Sequence, residues 1–378
     1  MIALGKLLKL SSITASVLVF CAWASWASGT LPSISAQPRS AAVRNVAVFG
    51  RDDRAPLPRN LKTLESSIGL VTSATERTLC TGFCVGRRTV ATAAHCLFRT
   101  AGERKPDLSS FQFVVGSRGD RRLTFVTGRH DGSYAQHVIA GSTSLNVSPP
   151  IDATSDWALM RLAQPVCREH SLVVDDISPQ RVEQLGARGR LLHTSFHGDL
   201  KSWSLAVSQS CKTKVRLDTS ARRQIDRDFS DTSTLVLHEC DTGLASSGSP
   251  LLALGSDNSL RVVAINVGTY QQTRYLVSGG SVTRRYKPAT IANTAVSGSA
   301  FAKHILAFTR AHILTGHQSM SRLQTALNAH GFNAGAVDGL FGTQTRAALV
   351  EFERSTGRAG IGLATPQLLR DVELYRNR

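Results

Sequence analysis

From about Leu61 to about Tyr286 the chain is a succession of short β-branched or aliphatic runs, cut by Gly, Asp, Ser and Pro: SIGLVTS, RTVATAA, FQFVVGS, HVIAGS, WALMRL, SLAVSQS, STLVLHE and LRVVAINVG. Many short strands at this spacing predict an antiparallel barrel or sandwich, not a parallel sheet with crossover helices. The segment SGSAFAKHILAFTRAHIL then sets Phe301, Ile305 and Phe308 at helical spacing, which predicts a terminal helix packed back on the β domain. After TGHQSM the texture changes. Leu323, Leu327, Leu349 and Phe352 recur at helical intervals, Thr365-Pro366 reads as an N-cap and first helical turn, and GFNAGAVDGLFGTQT reads as tight turns between helices. A chain of 378 residues has room for two domains, and these are a β domain and a separate three-helix module.

The first residues carry Lys6 and Lys9, then an apolar run from Ile13 to Trp26 interrupted by small residues, ending in Ser-Trp-Ala. That layout predicts a secretory signal peptide over residues 1–27, cleaved near Ala27, and the run is too short and broken for a good membrane span. Phe20 stands where a lipid-acceptor site at Cys21 needs a small residue, so no membrane anchor is expected in the mature form. Residues 28–45 read as a pro-segment or linker.

Loss of the leader leaves Cys80, Cys84, Cys96, Cys167, Cys211 and Cys240, and an even number in an exported chain suggests disulfides. Cys80 and Cys84 lack a second pair at metal-ligand spacing, so neither a metal nor a cofactor is expected. The formal charge is +17. In an exported protein such a charge points to anionic polymers of the cell envelope and not to nucleic acid. No run of basic residues exceeds two, so the charge is diffuse.

Three separated segments carry chemistry. TVATAAHC sets His95 beside Cys96 after a β-type run, TSDWALMRL sets Asp156 at the head of an apolar strand, and CDTGLASSGSP supplies Ser246, Ser247 and Ser249. A hydroxyl is a poor nucleophile until a base takes its proton, and the base needs a carboxylate to hold its tautomer. Each segment alone has a structural reading: a core histidine, a strand-start aspartate, a turn serine. Together, in the order His, Asp, Ser, they match one of the known arrangements of this catalytic set.

TAAHC, DWAL and SGSP together resemble the trypsin/chymotrypsin clan of serine peptidases. VFGRDDRAPLP followed by CTGFCVGRRTVATAAHC is similar more narrowly to the bacterial glutamyl-endopeptidase branch. The resemblance implies two antiparallel six-stranded β-barrels over residues 46–314, with the active site between them and a protein or peptide as substrate. It implies His95 as general base, Asp156 as its orienting partner and Ser247, directly before Gly-Ser-Pro, as nucleophile. The backbone N–H groups of Ala245 and Ser247 would form the oxyanion hole. Implied too are the bridges Cys80–Cys96 and Cys211–Cys240, and with them Cys84–Cys167.

The matches come with departures. Ala245 and Ser246 replace the Gly-Asp usual before the serine, and alanine at the first place favours the alternative reading of a catalytically impaired wall-binding scaffold with a protease-like fold. Around the substrate pocket, Asn266 stands where the glutamyl branch has a histidine and Thr242 where it uses a threonine. Asp241 falls where trypsin keeps its pocket aspartate, or else caps the loop. Residues 319–374, above all VDGLFGTQTRAAL, resemble the peptidoglycan-binding three-helix module of bacterial envelope enzymes, and within them Asp338, Gly339, Phe341 and Gly342 shape either the fold or a glycan groove. The expected protein is a secreted or periplasmic, wall-associated serine endopeptidase with peptidoglycan as its second partner. An amidase is the third reading.

Overall fold

The computed structural model describes residues 47–98, 106–116, 121–128, 133–167, 171–200, 204–213, 219–255, 259–272, 275–278, 281–285 and 289–376; the expected leader and pro-segment lie outside them. The chain is mostly β, with two large antiparallel sheets and a two-stranded one, Tyr275–Ser278 with Ser281–Arg285, followed by helices. In the first sheet the strands run in the order Arg122–Phe125, Gln112–Val115, Ile68–Ser73, Thr78–Gly86, Thr89–Thr92, Ala158–Arg161 and Val138–Ala140. An isolated bridge between Val126 and Leu162, with Thr127 N–H on the Arg161 carbonyl and Ala163 N–H on that of Phe125, joins the first of these back to the extension of Ala158–Arg161. Six strands thereby close into a ring, leaving Val138–Ala140 outside. Val71, Val90, Phe113 and Met160 share one face by register and fill it, all fully buried.

The second sheet runs Ala55–Pro56, Leu205–Cys211, Leu191–Phe196, Pro250–Leu254, Leu260–Gln272, Ala289–Ser297 and Leu235–His238, and Val173–Val174 adds a parallel pairing to Leu260–Gln272. The bridge from Thr213 to His238, beside Glu239 N–H on the Lys212 carbonyl, closes six of these strands into a second ring. The expected pair of six-stranded barrels is therefore present. Closure matters because it removes the unpaired edges that short strands would expose. The three disulfides join Cys80 to Cys96, Cys84 to Cys167 and Cys211 to Cys240.

The terminal helix spans Ala302–Arg310, shorter than the apolar stretch that announces it. Phe301 and Phe308 are buried in the large β core and Ile305 packs against it, as the spacing requires. Arg161 holds the helix end by donating to the carbonyls of Phe308 and Ala311, with its guanidinium over the Phe308 ring.

Helices His317–Ala329, Thr343–Ser355 and Pro366–Glu373 surround a separate core of Leu323, Leu327, Leu349, Phe352 and Val372, which also takes in Leu314 and Met320. Thr365 caps the last helix by accepting Leu368 N–H at 3.0 Å. Buried Gln324 holds the turn between the first two helices, donating to Asp338 Oδ1 and the Leu340 carbonyl and accepting from Gly339 N–H; Gly339 has φ +66°, a glycine conformation. Asp338 and Gly339 thus serve the fold of the turn. No helix among the described residues is long and apolar enough to cross a membrane.

The helical module is seated on the first barrel. Leu363 belongs to the large β core with Ile361 against it, and Leu314 N–H donates to the Ala364 carbonyl. Arg346, stacked over Phe341, donates to the carbonyls of Ala135 and Val138 beside the strand Val138–Ala140. Those carbonyls lose a charged donor if the side chain is removed, and a buried acceptor left unpaired costs about 1–3 kcal/mol. Arg346→Ala should lower the unfolding free energy by that order in urea denaturation; an unchanged midpoint and slope would show the contact contributes nothing.

Candidate active site

His95 and Asp156 are brought together by strand register. Thr92, which closes the strand Thr89–Thr92, pairs with Ala158, which opens Ala158–Arg161. His95 lies just past the first strand and Asp156 just before the second, so both emerge at one end of the ladder. A short 3-10 turn over Ala94–Cys96 and another over Ala153–Ser155 present them. The Asp156 carboxylate grips the histidine twice: Oδ1 accepts His95 N–H at 2.9 Å and Oδ2 meets ring Nδ1 at 2.7 Å. A carboxylate accepts only, so Nδ1 carries the proton and Nε2 keeps its lone pair. Burial opposes charge on this imidazole and is the largest single influence. The charge of Asp156 and its hydrogen bond together outweigh it, and the His95 pKa is raised above its ordinary 6.5.

The three serines of the loop are sorted by their partners. Ser246 is buried and its hydroxyl donates to the Gly243 carbonyl at 2.7 Å; Ser249 is buried, its hydroxyl donating to the Ser246 carbonyl and meeting His193 Nε2 at 2.6 Å. Ser247 alone of the three is half-buried, and among the described residues its Oγ has only a long contact of 3.4 Å to the Val267 carbonyl. His95, Asp156 and Ser247 line one cleft of about 690 Å³. Its walls include Leu145, Thr242, Leu244, Val267, Thr269 and Tyr270. Among the described residues Ser247 Oγ makes no hydrogen bond to His95, whose Nε2 has a 3.9 Å contact to Cys96 Sγ.

The loop that presents Ser247 is pressed against the first barrel. Thr81 N–H donates to the Ser247 carbonyl at 2.8 Å, and Gly248, at φ +81°, has no space for a side chain: a Cβ there would lie 2.1 Å from Thr92 Oγ1 and 2.3 Å from the Thr81 carbonyl. Ala245 also has a positive φ, +74°. For a residue with a Cβ this left-handed backbone costs about 1–2 kcal/mol. Its methyl is buried against Leu70 and Val114, which returns about 0.8 kcal/mol of that cost. Among the described residues neither Ala245 N–H nor Ser247 N–H meets a protein acceptor.

The residues expected in the substrate pocket divide. Thr242 lines the cleft, where its N–H and carbonyl pair with Ala47. Asn266 also lines it, but its polar groups serve the loop: Nδ2 donates to the Ser246 carbonyl at 3.0 Å, Oδ1 meets His238 Nε2 at 3.1 Å, the backbone N–H donates to Ser249, and the carbonyl accepts from Gly248. His238 Nδ1 accepts Cys240 N–H, so Nε2 is the donor to Asn266; burial, and next the neighbouring His193, press the His238 pKa down to about 3. Asp241 departs from the trypsin-like pocket role. It is absent from the cleft lining, and its carboxylate accepts Phe49 N–H at 2.8 Å and Asp53 N–H at 3.0 Å. It ties the segment after residue 46 to the loop, the structural half of the expectation. Arg54 completes that tie, pairing with Asp52 and Asp199 and donating to the Thr242 carbonyl.

Cys80, His95 and Cys96 are the one group of three metal-ligating types drawn together among the described residues, but the two sulfurs share a disulfide, so neither is a thiolate donor.

A family model of the trypsin-like peptidase domain matches residues 80–265, and one of the peptidoglycan binding domain matches residues 316–369. The chain joins a trypsin-like peptidase domain to a C-terminal peptidoglycan-binding domain. Among solved structures, a Glu endopeptidase in complex with MPD aligns at 16% identity and a TM-score of 0.43, covering 70% of this chain and 100% of that one. No curated protein matches the sequence.

Within the peptidase domain, sequence reasoning named His95, Asp156 and Ser247, which line one cleft, and missed the residues that hold them. Thr81 lies inside CTGFCVGRRTVATAAHC but brings no group of the expected catalytic set, and His238 is marked by its place two residues before Cys240 alone. Because Asp156 is what lifts the His95 pKa, an imidazole NMR titration should give a midpoint above 6.5, with the neutral base accumulating as pH rises through it. Asp156→Asn leaves burial uncompensated and should bring the midpoint below 6.5; a midpoint that stays put would remove Asp156 from this role.

Proposed function

We propose that this chain is an exported serine endopeptidase that hydrolyses protein peptide bonds through an acyl-enzyme and is held at the cell wall by its C-terminal module. Supporting it most is one observation: the two-point grip of Asp156 on His95 leaves Nε2 with its lone pair in the cleft that the single half-exposed serine of the loop, Ser247, also lines. In this reading His95 takes the Ser247 proton as the hydroxyl attacks the substrate carbonyl, and Asp156 stabilises the imidazolium that forms. The N–H groups of Ala245 and Ser247 receive the developing oxyanion. The same imidazolium protonates the leaving amine, and a water activated by His95 then releases the acyl group. In this reading the Ser247 hydroxyl turns from the Val267 carbonyl toward Nε2 when substrate binds, since catalytic hydrogen bonds commonly tighten only in the complex.

The domain division carries the rest. Residues 46–314 form the peptidase and 319–374 the wall-binding module, with 1–27 a cleaved leader and 28–45 a pro-segment or linker. Three disulfides fit an oxidising compartment outside the cytoplasm, and the protein acts there in association with peptidoglycan. Residues 319–374 carry five arginines against five acidic residues, so the module's recognition of glycan rests on shape and hydrogen bonds more than on bulk charge.

Ser247→Ala should abolish casein hydrolysis, a loss on the order of 10⁴-fold or more, and labelling by a fluorophosphonate probe. Its sedimentation with isolated sacculi should be unaltered. Retained sedimentation of a wild-type protein that never cleaves casein would instead support the scaffold reading, and lysis of the sacculi the amidase reading.

A further inference from the structure

We infer that the Thr81 side chain is a positioning residue for the oxyanion hole, holding Ala245 in the left-handed conformation that aims its N–H into the cleft; this rests on the serine peptidase reading above. Thr81 is fully buried in the strand Thr78–Gly86, opposite Leu70. Its Oγ1 donates to the Ala245 carbonyl at 2.7 Å and accepts Phe196 N–H at 3.1 Å. The roles are not interchangeable. An amide N–H can only donate and a carbonyl can only accept, so the hydroxyl proton is directed at Ala245. The same residue's N–H holds the Ser247 carbonyl at 2.8 Å, and its carbonyl is fixed by Thr92 Oγ1 at 2.8 Å. One residue therefore grips the carbonyls of both positions whose N–H groups the hole requires.

The consequence for Ala245 is geometric. Its Cβ is packed against Leu70 and Val114 and its carbonyl is tied to Thr81. With Cβ and the carbonyl carbon fixed about Cα, the direction of the Cα–N bond follows, and Gly198 N–H on the Leu244 carbonyl at 2.7 Å holds the peptide plane beyond that bond, so φ is set from both sides. Relaxation to the negative φ that alanine prefers would turn the peptide plane between Leu244 and Ala245 and carry the N–H away from the cleft. Glycine at this place would populate the same backbone unaided. In this chain the hydroxyl of residue 81 compensates for alanine at residue 245.

The test is a double-mutant comparison on fluorescently labelled casein. Thr81→Val keeps the β-branched shape and removes the hydroxyl, and it should lower kcat by roughly 10- to 100-fold with little change in KM, less than the 10²- to 10³-fold lost when an oxyanion donor is deleted outright. Thr81→Ser, which restores the hydroxyl, should recover most of kcat. In an Ala245→Gly background the Thr81→Val loss should shrink severalfold, because glycine needs no hold. Equal losses in both backgrounds, a loss confined to KM, or an unchanged kcat would each overturn the inference. Should Thr81→Val fail to fold, the same criteria apply to Thr81→Ala. A wild-type protein that neither cleaves casein nor takes a fluorophosphonate label would refute the peptidase reading and this inference together, whereas an active wild type with an unaffected Thr81→Val would refute the inference alone.

Discussion

Thr81 N–H on the Ser247 carbonyl, with Thr92 Oγ1 and the Thr81 carbonyl filling the space where residue 248 would carry a side chain, is the contact on which the site depends. His95 and Asp156 both belong to the first barrel and are set by the register of one strand pair. The proposed nucleophile belongs to the second, on the loop ahead of the strand Pro250–Leu254. Only close approach of that loop to the strand Thr78–Gly86 brings the serine into their cleft, and that approach requires glycine at 248 with φ +81°. The Cys80–Cys96 bridge fastens the strand to the histidine turn, and Cys211–Cys240 fastens the far end of the serine loop. Asn266 and His238 stiffen that loop from behind.

The barrels were legible because strand runs and their punctuation are local properties. Barrel closure was not, since it rests on the single-residue bridges Val126–Leu162 and Thr213–His238, which leave no periodic trace. Ser178-Pro179 announces the helix Pro179–Ala187 by N-cap and first-turn chemistry, with Ser178 Oγ accepting Arg181 N–H, yet it is short and lies between strands. At the site, His95, Asp156 and Ser247 were readable because reactive groups constrain residue type. Asp241 and Asn266 were less legible because position in a loop does not say which way a side chain is employed. Asp241 binds two backbone amides near residue 50, and Asn266 binds the loop itself.

Ala245 illustrates the limit of reading a departure by itself. From sequence it argued for impairment, because the place calls for a residue free to adopt positive φ. In the fold the positive φ is kept, the methyl is buried and the carbonyl is tied to Thr81. The compensation comes from a strand residue 164 positions away in sequence. The helical module follows a similar logic of reuse: Arg346, within its most diagnostic motif, spends its guanidinium on carbonyls of the first barrel. The module is thus seated on the peptidase domain it accompanies, so that binding to a wall polymer would fix the cleft along with it.

The central claim is that one serine of the three in CDTGLASSGSP is activated by its surroundings. Peptide mass spectrometry of the protein after reaction with a fluorophosphonate locates the adduct directly. The account predicts a single modified residue, Ser247, with formation slowing as pH falls through the raised pKa of His95. An adduct on Ser246 or Ser249, or none at any pH in the folded protein, would contradict it.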